Sequence, residues 1–123
     1  TFRNLHNWIG PQMDTIFKNS YKALKPGGIF GIVEHRANPG TSLDVMKKSG
    51  YVTESYAIAI AEKHGFVLVD KSEINANPKD LKNYERGVWT LPPSLRLKDK
   101  DKEKYLEIGE SDRMTLLFKK PIN

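Results

Sequence analysis

The chain has 123 residues, 38% hydrophobic and 28% charged, enough for one domain with a modest core. It has no Cys, which excludes disulfides and thiolate chemistry and fits a cytoplasmic location. No apolar run approaches the ~20 residues that span a bilayer, so no membrane partner is expected. The net charge of +5 invites a nucleic-acid reading. The lysines, however, interleave with acids, as in Lys98-Asp99-Lys100-Asp101-Lys102-Glu103-Lys104, which suits a solvated surface better than a phosphate track.

Thr1 to Leu5 reads as the end of a strand. The chain opens mid-motif without an initiator Met, so it is expected to be a piece of a longer product. Gly10-Pro11 breaks it, and Met13, Ile16, Phe17, Tyr21 and Leu24 then repeat at helical spacing, predicting a helix over 12–24. Pro26-Gly27-Gly28 ends that helix. Ile29 to Val33 is almost wholly apolar, the pattern of a strand covered on both faces, and it gives way to the polar triplet Glu34-His35-Arg36. A short helix is expected near 42–48. Thr53 is a plausible N-cap for a longer helix to His64, with Gly65 just beyond its end.

Phe66 to about Ile74 reads as the next strand. Asn77-Pro78 suggests a cap followed by a short helix over 78–84. An irregular stretch broken by Pro92-Pro93 follows, then a short helix over 101–108 and a closing strand over 113–118. Residues 1–123 thus form one domain with an irregular insertion at about 75–111. Alternating helices and strands argue for an α/β sheet layered with helices.

The junction Leu24-Lys25-Pro26-Gly27-Gly28 before an apolar strand resembles the one before the fifth strand of class I S-adenosylmethionine (SAM)-dependent methyltransferases. Thr1–Trp8, Glu34-His35-Arg36, the stretch 72–78 and Gly109-Glu110-Ser111-Asp112-Arg113 resemble one bacterial branch of that family. The likeness spans the whole chain but only the family's C-terminal half. It implies a partial Rossmann-like sheet: the end of the fourth strand, then the fifth to seventh, the last inserted antiparallel between the two before it. It also implies SAM as cofactor; the acceptor is left open among protein, nucleic acid, lipid and small metabolite, with a small molecule favoured because no basic groove is evident. The Gly-rich turn that opens the family's SAM-binding half is not found here, so the chain alone is expected to bind SAM weakly and to be inactive. An unpaired sheet side would then favour a homodimer. The competing reading is a non-catalytic oligomerisation or binding module.

Ligands in open α/β sheets sit beyond the carboxyl ends of the strands. The implied topology gathers Arg3, Asn4, His6, Asn7, Glu34, Arg36, Glu73, Asn75, Asn77, Asp112 and Arg113 there as substrate-binding candidates. His35 is the candidate general base, because an ordinary imidazole titrates near ~6.5. Its alternative is a structural hydrogen bond to Glu73, Asp112 or backbone. Glu34 and Glu73 either bind an amine or are neutralised by Arg36 and Arg113. Trp8 and Trp89 either close the pocket or simply pack. His6, His35 and His64 show no metal-ligand spacing, so no metal site is expected. Ser20, Ser42 and Ser111 sit in no nucleophile motif.

Overall fold

A computed structural model describes residues 1–122. Four α-helices and three strands follow in the order α1 (Gln12–Ala23), β1 (Ile29–His35), α2 (Leu43–Ser49), α3 (Glu54–Lys63), β2 (Val67–Ser72), α4 (Lys102–Ile108) and β3 (Arg113–Lys119). Single 3-10 turns occupy Leu5–Trp8 and Gly87–Thr90.

The sheet order is β1-β3-β2, and β3 runs antiparallel to both neighbours. The last strand therefore lies in the middle, as the family resemblance implies. The register sets Ile29 opposite Lys119 at one end and His35 opposite Arg113 at the other. The chain start does not form a full strand. Only Phe2 bridges β1, parallel to it at Val33, and Leu5 already belongs to a 3-10 turn. β1 also runs further than expected, since Glu34 and His35 are within the ladder.

The core lies on one side of this sheet. Met13 and Phe17 of α1 and Ala57 and Ala61 of α3 pack with Ile32, Phe66, Met114, Leu116 and Phe118. Each large side chain buried there contributes roughly 1.5–3 kcal/mol. Ala57 and Ala61 stand one turn apart and let α3 approach closely, which is why they are more deeply buried than Tyr56 and Ile60. Thr53 caps α3 by accepting the Tyr56 N–H at 3.2 Å, and Ser42 caps α2 in the same way through Val45.

Two expectations fail. The apolar run of β1 is covered on one face only among the described residues: Ile29 is 62% exposed, and Val67 and Val69 on β2 are about half exposed. No helix forms over 78–84. Asn77 and Asp80 spend their side chains on other contacts: Asn77 Oδ1 accepts the Lys79 N–H, and Asp80 accepts the Lys82 N–H. Lys82 then takes a positive φ of 65°, which a helix does not permit.

Candidate functional site

The carboxyl end of β1 is where separate segments meet. Arg113 N–H donates to the Asn75 carbonyl at 3.0 Å, and Arg36 N–H donates to the Asp112 carbonyl at 2.8 Å. On the other side of β1, Arg3 N–H reaches the Val33 carbonyl at 2.6 Å. A cavity of about 380 Å³ opens at this rim. Arg3, His6, Asn7, His35, Ser111 and Arg113 form its polar side. Phe2, Val88, Trp89, Pro92, Pro93 and Ser94 complete it.

The insertion supplies that second wall, and two glycines allow it to dock. Gly87 has φ 59°, and a Cβ on it would lie 2.5 Å from the Ser49 carbonyl oxygen. A Cβ on Gly50, which ends α2 at φ 78°, would lie 2.7 Å from Val88 and 3.0 Å from Trp89. Only glycine satisfies both the backbone angle and the close approach. Beneath the wall, the buried Tyr51 hydroxyl donates to both Asp80 oxygens at 3.0 and 2.9 Å, and Asp80 also accepts the Asp112 N–H at 2.9 Å. Burial and the adjacent Asp80 charge push the Tyr51 phenol far up, so it remains a donor.

Glu34 is fully buried behind the cavity. Its oxygens accept the His6 N–H at 2.6 Å and the His35 N–H at 2.9 Å, and His6 Nδ1 lies 3.0 Å from Oε2. A carboxylate that only accepts pairs with the Nδ1–H tautomer of His6, the one that carries no proton on Nε2. His6 borders the cavity, with its ring 5.5 Å from that of His35 and 5.8 Å from Trp89.

His35 borders the cavity and makes a side-chain hydrogen bond there, with a partner other than those expected. Its Nδ1 pairs with Ser111 Oγ at 2.5 Å, not with Glu73 or Asp112. Burial, followed by the neighbouring His6, Arg113 and Arg3, pushes its pKa down to about 3. A neutral imidazole of that kind is a weak base near neutrality. The Ser111–His35 pair likewise lacks a carboxylate on the imidazole to activate a nucleophile.

The remaining candidates divide. Arg3, His6, Asn7, His35 and Arg113 line the cavity together; Asn4, Glu34, Arg36, Glu73, Asn75, Asn77 and Asp112 do not. Arg36 is spent on a neighbouring ion-pair cluster. It grips Asp112 at 2.9 and 3.0 Å, Glu73 at 2.8 Å and Glu54 at 3.3 Å, while Lys82 meets Asp112 at 2.8 Å. Burial would raise the Asp112 carboxyl, but hydrogen bonds from Arg36 and Lys82 outweigh it and hold the carboxyl below its usual range. Asn75 donates to Thr115, and Asn77 donates to the Ile108 and Glu110 carbonyls, both structural uses. Asn4 is exposed.

Of the two tryptophans, Trp89 borders the cavity and Trp8 packs against the core. Pro92, Pro93 and Ser94 were legible only as a loop. Nothing in their spacing signalled a shared wall.

His6, Glu34 and His35 also offer one ligand atom each within 4.8 Å of one another, a grouping that sequence spacing did not reveal. Both Glu34 oxygens accept N–H groups and His35 Nδ1 pairs with Ser111, so these three atoms are engaged in hydrogen bonds. As arranged, the three side chains form a hydrogen-bonded network in which Glu34 orients His6. Compared with family models, curated proteins and solved structures, the chain matches none.

Proposed function

We propose that this chain forms the acceptor side of a SAM-dependent methyltransferase of Rossmann-like type, and that the rim cavity holds a small acceptor. The observation that carries the reading is the buried Glu34 gripping His6 Nδ1 at a cavity wall. A carboxylate so placed fixes the tautomer and stabilises the imidazolium that forms when Nε2 takes a proton. His6, not His35, is then the general base. Ser111 and His35 fix the floor, and Asn7 and the two arginines orient the acceptor. The central antiparallel strand and the family resemblance support the class of reaction.

When bound, the donor supplies an electrophilic methyl group on a positively charged sulfur. The glycine pair before β1 does not fit it. The Pro26-Gly27-Gly28 turn spends both glycine N–H groups on carbonyls, Gly27 on Lys120 at 2.7 Å and Gly28 on Lys25 at 2.8 Å. Neither is left to hold a ligand, so in this reading the donor is held by residues outside the chain.

The test uses radiolabelled SAM with a panel of small acceptors and the full gene product that contains this chain. His6→Gln is expected to lower turnover about 10²-fold or more, the usual scale of general-base catalysis, with little change in melting temperature. His35→Gln is expected to lose much less turnover. Absence of both SAM binding by calorimetry and methyl transfer to any acceptor rejects the enzyme reading.

A second reading, an oligomerisation module, is favoured by a different observation. Phe2, Ile29, Val67 and Val69 are apolar and about half exposed or more. It predicts a homodimer of the chain by light scattering; a strict monomer at high concentration argues against it.

A further inference from the structure

We infer that the cavity takes a small carboxylate carried on an apolar body. The inference deepens the acceptor-pocket reading above and rests on it. Among the described residues, two cations border the cavity, Arg3 and Arg113, and no carboxylate side chain does. Such a pocket repels a cationic ligand and costs an amine its solvation without return.

Arg113 carries the argument. Its side chain is only 11% exposed, yet its buried Nε has no hydrogen-bond partner. Its one carboxylate contact is Glu110, through Nη2 at 2.5 Å. Glu110 is itself 56% exposed and is shared with Arg3 at 3.5 Å. Arg113 thus brings to the cavity a nearly buried positive charge whose carboxylate partner is itself largely in solvent, a setting in which a ligand carboxylate gains a charge-assisted hydrogen bond. The same two arginines add, after burial and His6, to the low proton affinity of His35.

Val88, Trp89, Pro92 and Pro93 offer hydrocarbon to the same cavity, and Phe2 adds a ring 4.6 Å from the Arg3 guanidinium. A volume of about 380 Å³ is within the range of small-molecule sites. One polar end and one apolar wall thus orient a ligand with its carboxylate at Arg113 and its body along Trp89. His6 borders the same space, where a reacting group on that body would meet it.

The test is a binding titration of the isotope-labelled chain with benzoate, its neutral isostere benzamide and benzylamine, without any methyl donor. The indole N–H signals of Trp89 and Trp8 are followed by NMR. Benzoate is expected to shift Trp89 but not Trp8, and to bind at least tenfold more tightly than benzamide. Arg113→Gln is expected to erase that preference. Arg3→Gln, at a less buried site, is expected to reduce it and covers the case in which the first variant unfolds. Equal binding of benzoate and benzamide, preference for benzylamine, no binding, or competition by inorganic phosphate as strong as by benzoate would each overturn the inference. The readout needs no turnover, so its failure leaves the methyl-transfer reading standing, and the reverse also holds.

Discussion

The buried His35 makes stability depend on pH in a calculable way. Its pKa is pushed to about 3 in the folded chain, against an ordinary value of 6.5. Between those values the unfolded chain takes up a proton that the folded chain refuses. Stability therefore rises with pH through this window, is fully present above the ordinary value, and is lost as pH falls. The groups facing His35 are His6, Tyr51 and Ser111, with Arg3 and Arg113 adding positive charge.

For one such site, going from pH 7 to pH 5.5 costs about 1.3 kcal/mol, and continuing to pH 4.5 brings the loss to about 2.5 kcal/mol. The assay is urea unfolding of the chain and of His35→Gln at a series of pH values. Gln does not titrate and retains a polar end for Ser111. His6 and His64 are present in both proteins and cancel to first order in the difference. The expected difference curve is flat above neutrality and slopes toward the variant as pH drops. A flat difference from pH 7 to pH 4.5 would show that His35 protonates as readily folded as unfolded, and the case against it as a buried neutral group would collapse.

Gly87→Ala is expected to destabilise by about 1–3 kcal/mol, because a positive φ and a clash with the Ser49 backbone act together. The same change is expected to displace Trp89 and shift its fluorescence; an unchanged spectrum and midpoint would refute the docking role. Tyr51→Phe removes a donor from the buried Asp80 and is expected to cost roughly 1–3 kcal/mol in urea midpoints, whereas Tyr84→Phe is expected to cost less. Glu34→Ala strips the acceptor from the His6 and His35 N–H groups and is expected to cost on the order of 1–3 kcal/mol for each donor left dry. Thermal melts within a degree of the parent would contradict that network.

Much of the local structure was legible. The helical spacing from Met13 to Tyr21, the caps Ser42 and Thr53, and the Pro26-Gly27-Gly28 break act over a few residues, so the observed α1, α2, α3 and β1 follow the pattern closely. The insertion was not legible beyond its irregularity. Asn77-Pro78 resembles a helix start, but Asn77 and Asp80 are recruited by partners about thirty residues away, and those contacts outweigh a local preference.

The candidate site divides the same way. Sequence alone determined that charged and polar residues follow each apolar segment, because side-chain polarity is a local property. It did not separate His6 from His35, or Arg113 from Arg36. Tertiary structure made that choice. Glu34 reaches His6 across 28 residues, Asp112 captures Arg36 across 76, and burial strips His35 of its ordinary basicity. Charge and solvation depend on which neighbours arrive and how much water they displace, and only the folded chain specifies both.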